Sequence, residues 1–113
     1  MFKFLKSLLG RGPAVTNVTP LDAEALVRQG AMLLDVRSAA ERQATKIRGS
    51  THVPLNDLGN RAGTLPRDRV IVCQCASGHR SRVAAAQLAA QGFDVRNLQG
   101  GIQAWQAAGL PTQ

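Results

Sequence analysis

Tyrosine is absent from this chain, and the other aromatic residues amount to three phenylalanines and one tryptophan. Single-stranded nucleic acids are usually held on aromatic faces against which bases stack, so this scarcity argues against a nucleic-acid partner. Cysteine is equally sparse. The two present, Cys73 and Cys75, are too few for a disulfide framework and suit a reduced, cytoplasmic compartment where a thiol either packs or reacts. Acidic residues are also in short supply, seven Asp and Glu against fourteen Lys and Arg, for a formal charge of +7. That surplus favours anionic partners such as small oxyanions, acidic proteins or lipid headgroups, without choosing among them. No segment reaches the ~20 apolar residues needed to span a bilayer.

The length of 113 residues is that of one domain with one core. In the opening stretch "MFKFLKSLLG", Phe2, Phe4, Leu5, Leu8 and Leu9 fall on one side of a helix and Lys3, Lys6 and Ser7 on the other. This reads as a short amphipathic helix. Lysine interrupts the apolar run and no small-residue cleavage site follows, which disfavours a secretory signal. Residues 2–9 are expected either to contact an anionic membrane surface peripherally, at its inner face, or to dock on a partner, or to pack on the chain itself. "GRGPAVTN" then reads as a linker, which divides the chain into an N-terminal segment, residues 1–13, and a domain, residues 14–113.

Within the domain, "TPLDAEALVRQG" has the marks of a capped helix: Thr19 as N-cap, Pro20 at the first helical position and Gly30 as the stop. "AMLLDV" is a buried strand ending near Asp35, "SAAERQAT" a short helix, "THVPL" at most an edge strand and "LNDLGNRAG" a weak helical segment. "RVIVCQC" is the most strand-like run and has the length of a central buried strand. A helix with an alanine-rich second half, a strand around "FDVRNL" and a helix "GIQAWQAAG" complete the pattern. Strands alternating with helices specify an α/β fold, with a central parallel sheet of about five strands flanked by helices on both faces.

In such sheets ligands sit where strands end and helices begin. Cys75 falls at that place. Backbone N–H groups of a Gly-containing turn and the dipole of the following helix favour negative charge there, shifting a cysteine toward its thiolate. Cys75 is therefore the candidate nucleophile. Gly78 permits the tight turn, Ser77 offers a hydroxyl, and His79, Arg80 and Arg82 supply cationic or hydrogen-bonding groups around it. Residues two apart in a strand share a face, but their Cα atoms are separated by about 6.6 Å, at the far limit of disulfide geometry. Cys73 is most simply a small apolar core residue. Zinc held by Cys73, Cys75 and His79 lacks a fourth ligand, so no metal site is expected.

The segments "DVRSAAE" at 35–41, "IRGSTHVP" at 47–54, "CASGHRS" at 75–81 and "LQGGIQAW" at 98–105 together resemble the rhodanese homology domain, in the right order and over about residues 15–109. The resemblance implies a sulfurtransferase in which the cysteine of C-x-x-G-x-R-S, here Cys75, takes a sulfane sulfur from thiosulfate or a persulfide donor and carries it as a persulfide. By the same resemblance Ala76, Ser77, Gly78, His79 and Arg80 would cradle the persulfide and an anionic donor, with Arg80 the anion-binding group. Asp35, Arg37 and Ser81 would support the loop. Gly100 and Gly101 resemble the glycine pair preceding the last helix, and Trp105 is read as core.

The implied partners are a small anionic sulfur donor and a thiol or cyanide acceptor; no cofactor is implied. Where the family often has G-H-I-P-G-A, this chain has "TKIRGS", which makes that turn more basic. Glu41 lies four residues beyond Arg37, a spacing at which the two can pair across a helical turn, or Glu41 can stand as a solvated charge. Phosphatases and arsenate reductases with a related loop have C-x5-R, whereas only four residues separate Cys75 from Arg80. The shorter loop makes a smaller cradle, which favours sulfur over a tetrahedral phosphoryl group. A second reading is a sulfur-relay or binding module without small-molecule turnover, serving a protein partner at a membrane surface.

Overall fold

A computed structural model describes residues 15 to 113; the expected N-terminal amphipathic helix lies outside them. Five short strands form one sheet: β1 (Asn17–Val18), β2 (Met32–Asp35), β3 (Thr51–His52), β4 (Ile71–Gln74) and β5 (Val95–Leu98). All pairings are parallel, in the order β1-β5-β4-β2-β3, so β4 is central and β3 is an edge strand as expected. The helices are α1 (Pro20–Arg28), α2 (Ala39–Ala44), α3 (Leu58–Arg61), α4 (His79–Ala90) and α5 (Gly101–Ala107).

The strand β1 corrects the linker assignment, which ran through residue 17. Asn97 and Gln99 of the β5 segment donate to the carbonyls of Thr16 and Val18, both at 2.9 Å, and cover that edge of β5. Two residues are too few to show a period of two, so pairing with β5 is what makes this segment a strand.

Helix starts follow the chemistry of the sequence. Thr19 accepts from the backbone N–H of Asp22 and Pro20 occupies the first turn of α1. At α2, Ser38 and Glu41 form a reciprocal capping box that satisfies two otherwise orphaned N–H groups. Alternation along β4 splits the core into two layers. Ile71, Cys73 and the following Cys75 join Leu34, Leu58, Ala84 and Leu88 on the α3 and α4 side. Val72 points the other way, into a layer with Ala23, Leu98, Ile102 and Trp105 beneath α1 and α5. Among the described residues, no helix is long and apolar enough to cross a membrane.

Candidate active site

Cys75 follows the last residue of β4, and three residues later Gly78 adopts a left-handed conformation, φ +108°, that turns the chain into α4. Only glycine takes that conformation without strain. The turn brings the Gly78 N–H to 3.1 Å from Cys75 Sγ and the Ser81 hydroxyl to 3.3 Å. Ser77 and His79 are exposed at the rim, and Ala76 and Arg80 are half-buried. Around the sulfur the structure brings Gly78 and Ser81, with the backbone N–H of Ser77; no contact to the sulfur ties Ala76 or His79 to it.

The two thiols respond to opposite surroundings. Burial works against the Cys75 thiolate. The Ser81 hydroxyl and the backbone N–H groups of Ser81, Gly78 and Ser77 outweigh it, and the thiol is held below its ordinary value. At Cys73 nothing offsets burial, and with the charge of Cys75 adding to it the thiol is pushed up to about 12. Both cysteines are free thiols.

A second helix clamps the loop from behind. The first N–H groups of α5 reach the loop carbonyls: Ile102 donates to Cys75 at 2.8 Å and Gln103 to Ala76 at 3.2 Å. This needs a close approach of backbones. A Cβ on Gly101, whose φ is +63°, would collide with the carbonyl oxygens of both Cys75 and Ala76.

Asp35 and Arg37 are buried in a network that stands apart from the sulfur. Arg37 donates from Nε and Nη2 to the two Asp35 oxygens at 3.0 and 2.9 Å, and from Nη2 to the Thr45 carbonyl at 2.7 Å. Arg42 adds a bond to Asp35 Oδ2 at 3.1 Å and two to Ser50. Burial opposes the Asp35 charge, but these donors prevail and keep its carboxyl below the usual range. The network pins both ends of α2 to the sheet.

The side-chain pairing of Arg37 with Glu41 that the spacing allows does not form; of Glu41, Arg37 reaches the backbone carbonyl, at 3.5 Å. Arg37 is taken by Asp35, and the Glu41 carboxylate instead meets Arg80 side-on, with Nη1 at 2.6 Å from Oε1 and Nη2 at 2.8 Å from Oε2. Those bonds, aided by Ser38 against the cost of burial, hold the Glu41 carboxyl down at about 2. Asn97, which sequence reasoning passed over, has its Oδ1 2.6 Å from Ser81 Oγ, where it competes with Cys75 Sγ for the one hydroxyl proton, and donates to Asn17 Oδ1 at 3.0 Å and toward the Gly78 carbonyl at 3.4 Å. The available signal was a short amide side chain in the strand "VRNL", on the same face as Val95. A cleft of about 650 Å³ lined by Ala39, Arg42, Gln43, Lys46, His52 and Gln113 shares no residue with the Cys75 loop. Among the described residues, no cluster of three His, Cys, Asp or Glu side chains could hold a metal ion.

The model of the rhodanese-like domain family matches residues 19–108. A protein named thiosulfate sulfurtransferase GlpE, from Actinobacillus succinogenes, is 36% identical over 102 residues, covering 88% of this chain and 92% of its own. A sulfurtransferase from Allochromatium vinosum is 38% identical over 100 residues, covering 83% and 94%. Among solved structures, a rhodanese-related protein from Thermoplasma volcanium superposes with a TM-score of 0.82 at 28% identity, covering 87% of this chain and 97% of that one.

Proposed function

Since this chain belongs to the rhodanese-like domain family and is a sulfurtransferase, we propose that Cys75 is its sulfur carrier and that the reaction proceeds through a Cys75 persulfide. The observation that carries this reading is the position of Cys75 Sγ, which accepts the Gly78 N–H and the Ser81 hydroxyl at the mouth of α4. These donors stabilise a thiolate and, one atom further out, a persulfide anion.

With thiosulfate as donor, the Cys75 thiolate attacks the outer sulfur. The new S–S bond forms as the bond to the sulfonate sulfur breaks, and sulfite leaves with the electron pair. A thiolate or cyanide acceptor then attacks the outer sulfur of the persulfide, taking it as a persulfide or thiocyanate and returning the thiolate of Cys75. Charge is conserved in each step, and neither step calls for a cofactor. The loop from Ala76 to Arg80 cradles the transferred sulfur, and Ser81 is the supporting donor. Asp35 and Arg37 act at a distance, by fixing α2 against the sheet.

Turnover of thiosulfate with cyanide or a small thiol as acceptor tests the proposal. Sustained turnover that is lost in Cys75→Ser supports it. A wild-type chain that passes sulfur only to a protein acceptor would instead favour the relay reading.

A further inference from the structure

The guanidinium that the loop presents to a donor already has a partner. Arg80, in the first turn of α4, is bound by both carboxylate oxygens of Glu41, in the first turn of α2. The two side chains are 40% and 34% exposed, so the pair lies open to solvent at the rim of the loop. The charged form of Arg80 is favoured most by Glu41 and, to a smaller degree, by the sulfur of Cys75.

Glu41 is anchored where it stands. Its carboxylate also closes the capping box with Ser38, and α2 is held through Arg37 to Thr45 and through Arg42 to Ser50. The carboxylate therefore remains at the rim when a donor arrives.

Thiosulfate carries two negative charges, so its capture depends on the net charge it meets as well as on N–H donors. The Glu41–Arg80 pair supplies donors without net charge. An alkyl persulfide carries one negative charge at neutral pH against two for thiosulfate, so that cancellation weighs less on its capture; in its protonated form the outer sulfur is attacked by the Cys75 thiolate, the S–S bond breaking as the alkyl thiolate leaves with the electron pair. Resting on the sulfurtransferase reading above, we infer that Glu41 is a specificity-determining residue: by cancelling the charge of Arg80 in the cysteine loop, it weakens capture of the thiosulfate dianion relative to monoanionic alkyl persulfides.

The test is sulfur loading of the full chain at increasing donor concentration, read by intact-protein mass, with thiosulfate and with 2-hydroxyethyl persulfide. Glu41→Gln removes the charge while leaving a residue that also serves in a capping box. It should load at about three- to tenfold lower thiosulfate concentration, as expected for one charge removed near a dianion in a water-exposed site. Its shift with the persulfide, a monoanion, should be smaller, about two- to threefold, and its gain with thiosulfate should fade between roughly 0.01 and 1 M salt. Arg80→Ala, which leaves α2 untouched and the Glu41 charge uncancelled, should shift thiosulfate loading the other way. Equal or poorer thiosulfate loading in Glu41→Gln, or equal shifts for both donors, overturns the inference while leaving the sulfurtransferase reading intact. A wild-type chain that takes sulfur from neither donor contradicts both.

Discussion

Cys73 and Cys75 lie in the same core layer with side chains almost wholly buried, yet their thiols are displaced in opposite directions. The difference comes from two residues of chain. Cys73 is inside β4, paired in register with Leu34 and Asn97, where backbone donors are committed to the sheet. Cys75 is past the end of the strand, where the N–H groups of a turn and a helix start have no partner of their own and converge on its sulfur.

Ser81→Ala should raise the Cys75 thiol value. Because the native thiol is lowered, its thiolate forms at lower pH than in a free cysteine, and alkylation by iodoacetamide should rise with pH and level off once that value is passed. Removing one hydrogen bond to a charged group costs about 1.5 to 3 kcal/mol, which moves the midpoint up by roughly one to two pH units. The pH profile of alkylation measures it directly, and an unmoved midpoint would remove Ser81 from the support of the thiolate.

Gly101→Ala should be far more damaging than Gly109→Ala, although both glycines have positive φ. At Gly109 a methyl group meets nothing within 4 Å, so the cost is conformational, about 1 kcal/mol. At Gly101 the methyl drives α5 away from the Cys75 and Ala76 carbonyls, adding roughly 1 to 3 kcal/mol of overpacking and disturbing the loop. Denaturant unfolding of both variants, together with their turnover, separates the two effects. Equal losses would mean that close approach of α5 does not shape the site.

Deletion of residues 2–9 should reduce binding to anionic vesicles and leave sulfur transfer nearly unchanged. The amphipathic stripe precedes the Gly-Pro segment and contains none of the residues around Cys75. Vesicle co-sedimentation of the full and shortened chains checks this; equal binding by both would discard membrane contact as the role of that segment.

The parallel sheet, its central strand and the placement of Cys75 were legible because each rests on a local signal: apolar runs of strand length, helix caps, and a glycine three residues after a strand-end cysteine. What escaped was nonlocal. The β1 strand is two residues long and exists through its pairing with β5. Asn97 meets Ser81 only after β5 has been laid beside β4. The spacing of four residues left Glu41 either to pair with Arg37 or to stand as a solvated charge, but both Asp35 oxygens bind the Arg37 guanidinium and neither alternative holds. The partner of Glu41 is 39 residues away, on a helix whose position only the fold determines.

Intact-protein mass spectrometry after thiosulfate treatment, applied to Cys75→Ser and Cys73→Ser, tests most directly the claim that one thiol carries the sulfur. Cys73→Ser should gain one sulfur atom while losing some stability, since an unpaired hydroxyl in an apolar layer costs about 1 to 3 kcal/mol. Cys75→Ser should gain none and lose turnover, because a serine hydroxyl cannot form a persulfide. An adduct that survives in Cys75→Ser and disappears in Cys73→Ser would contradict the account.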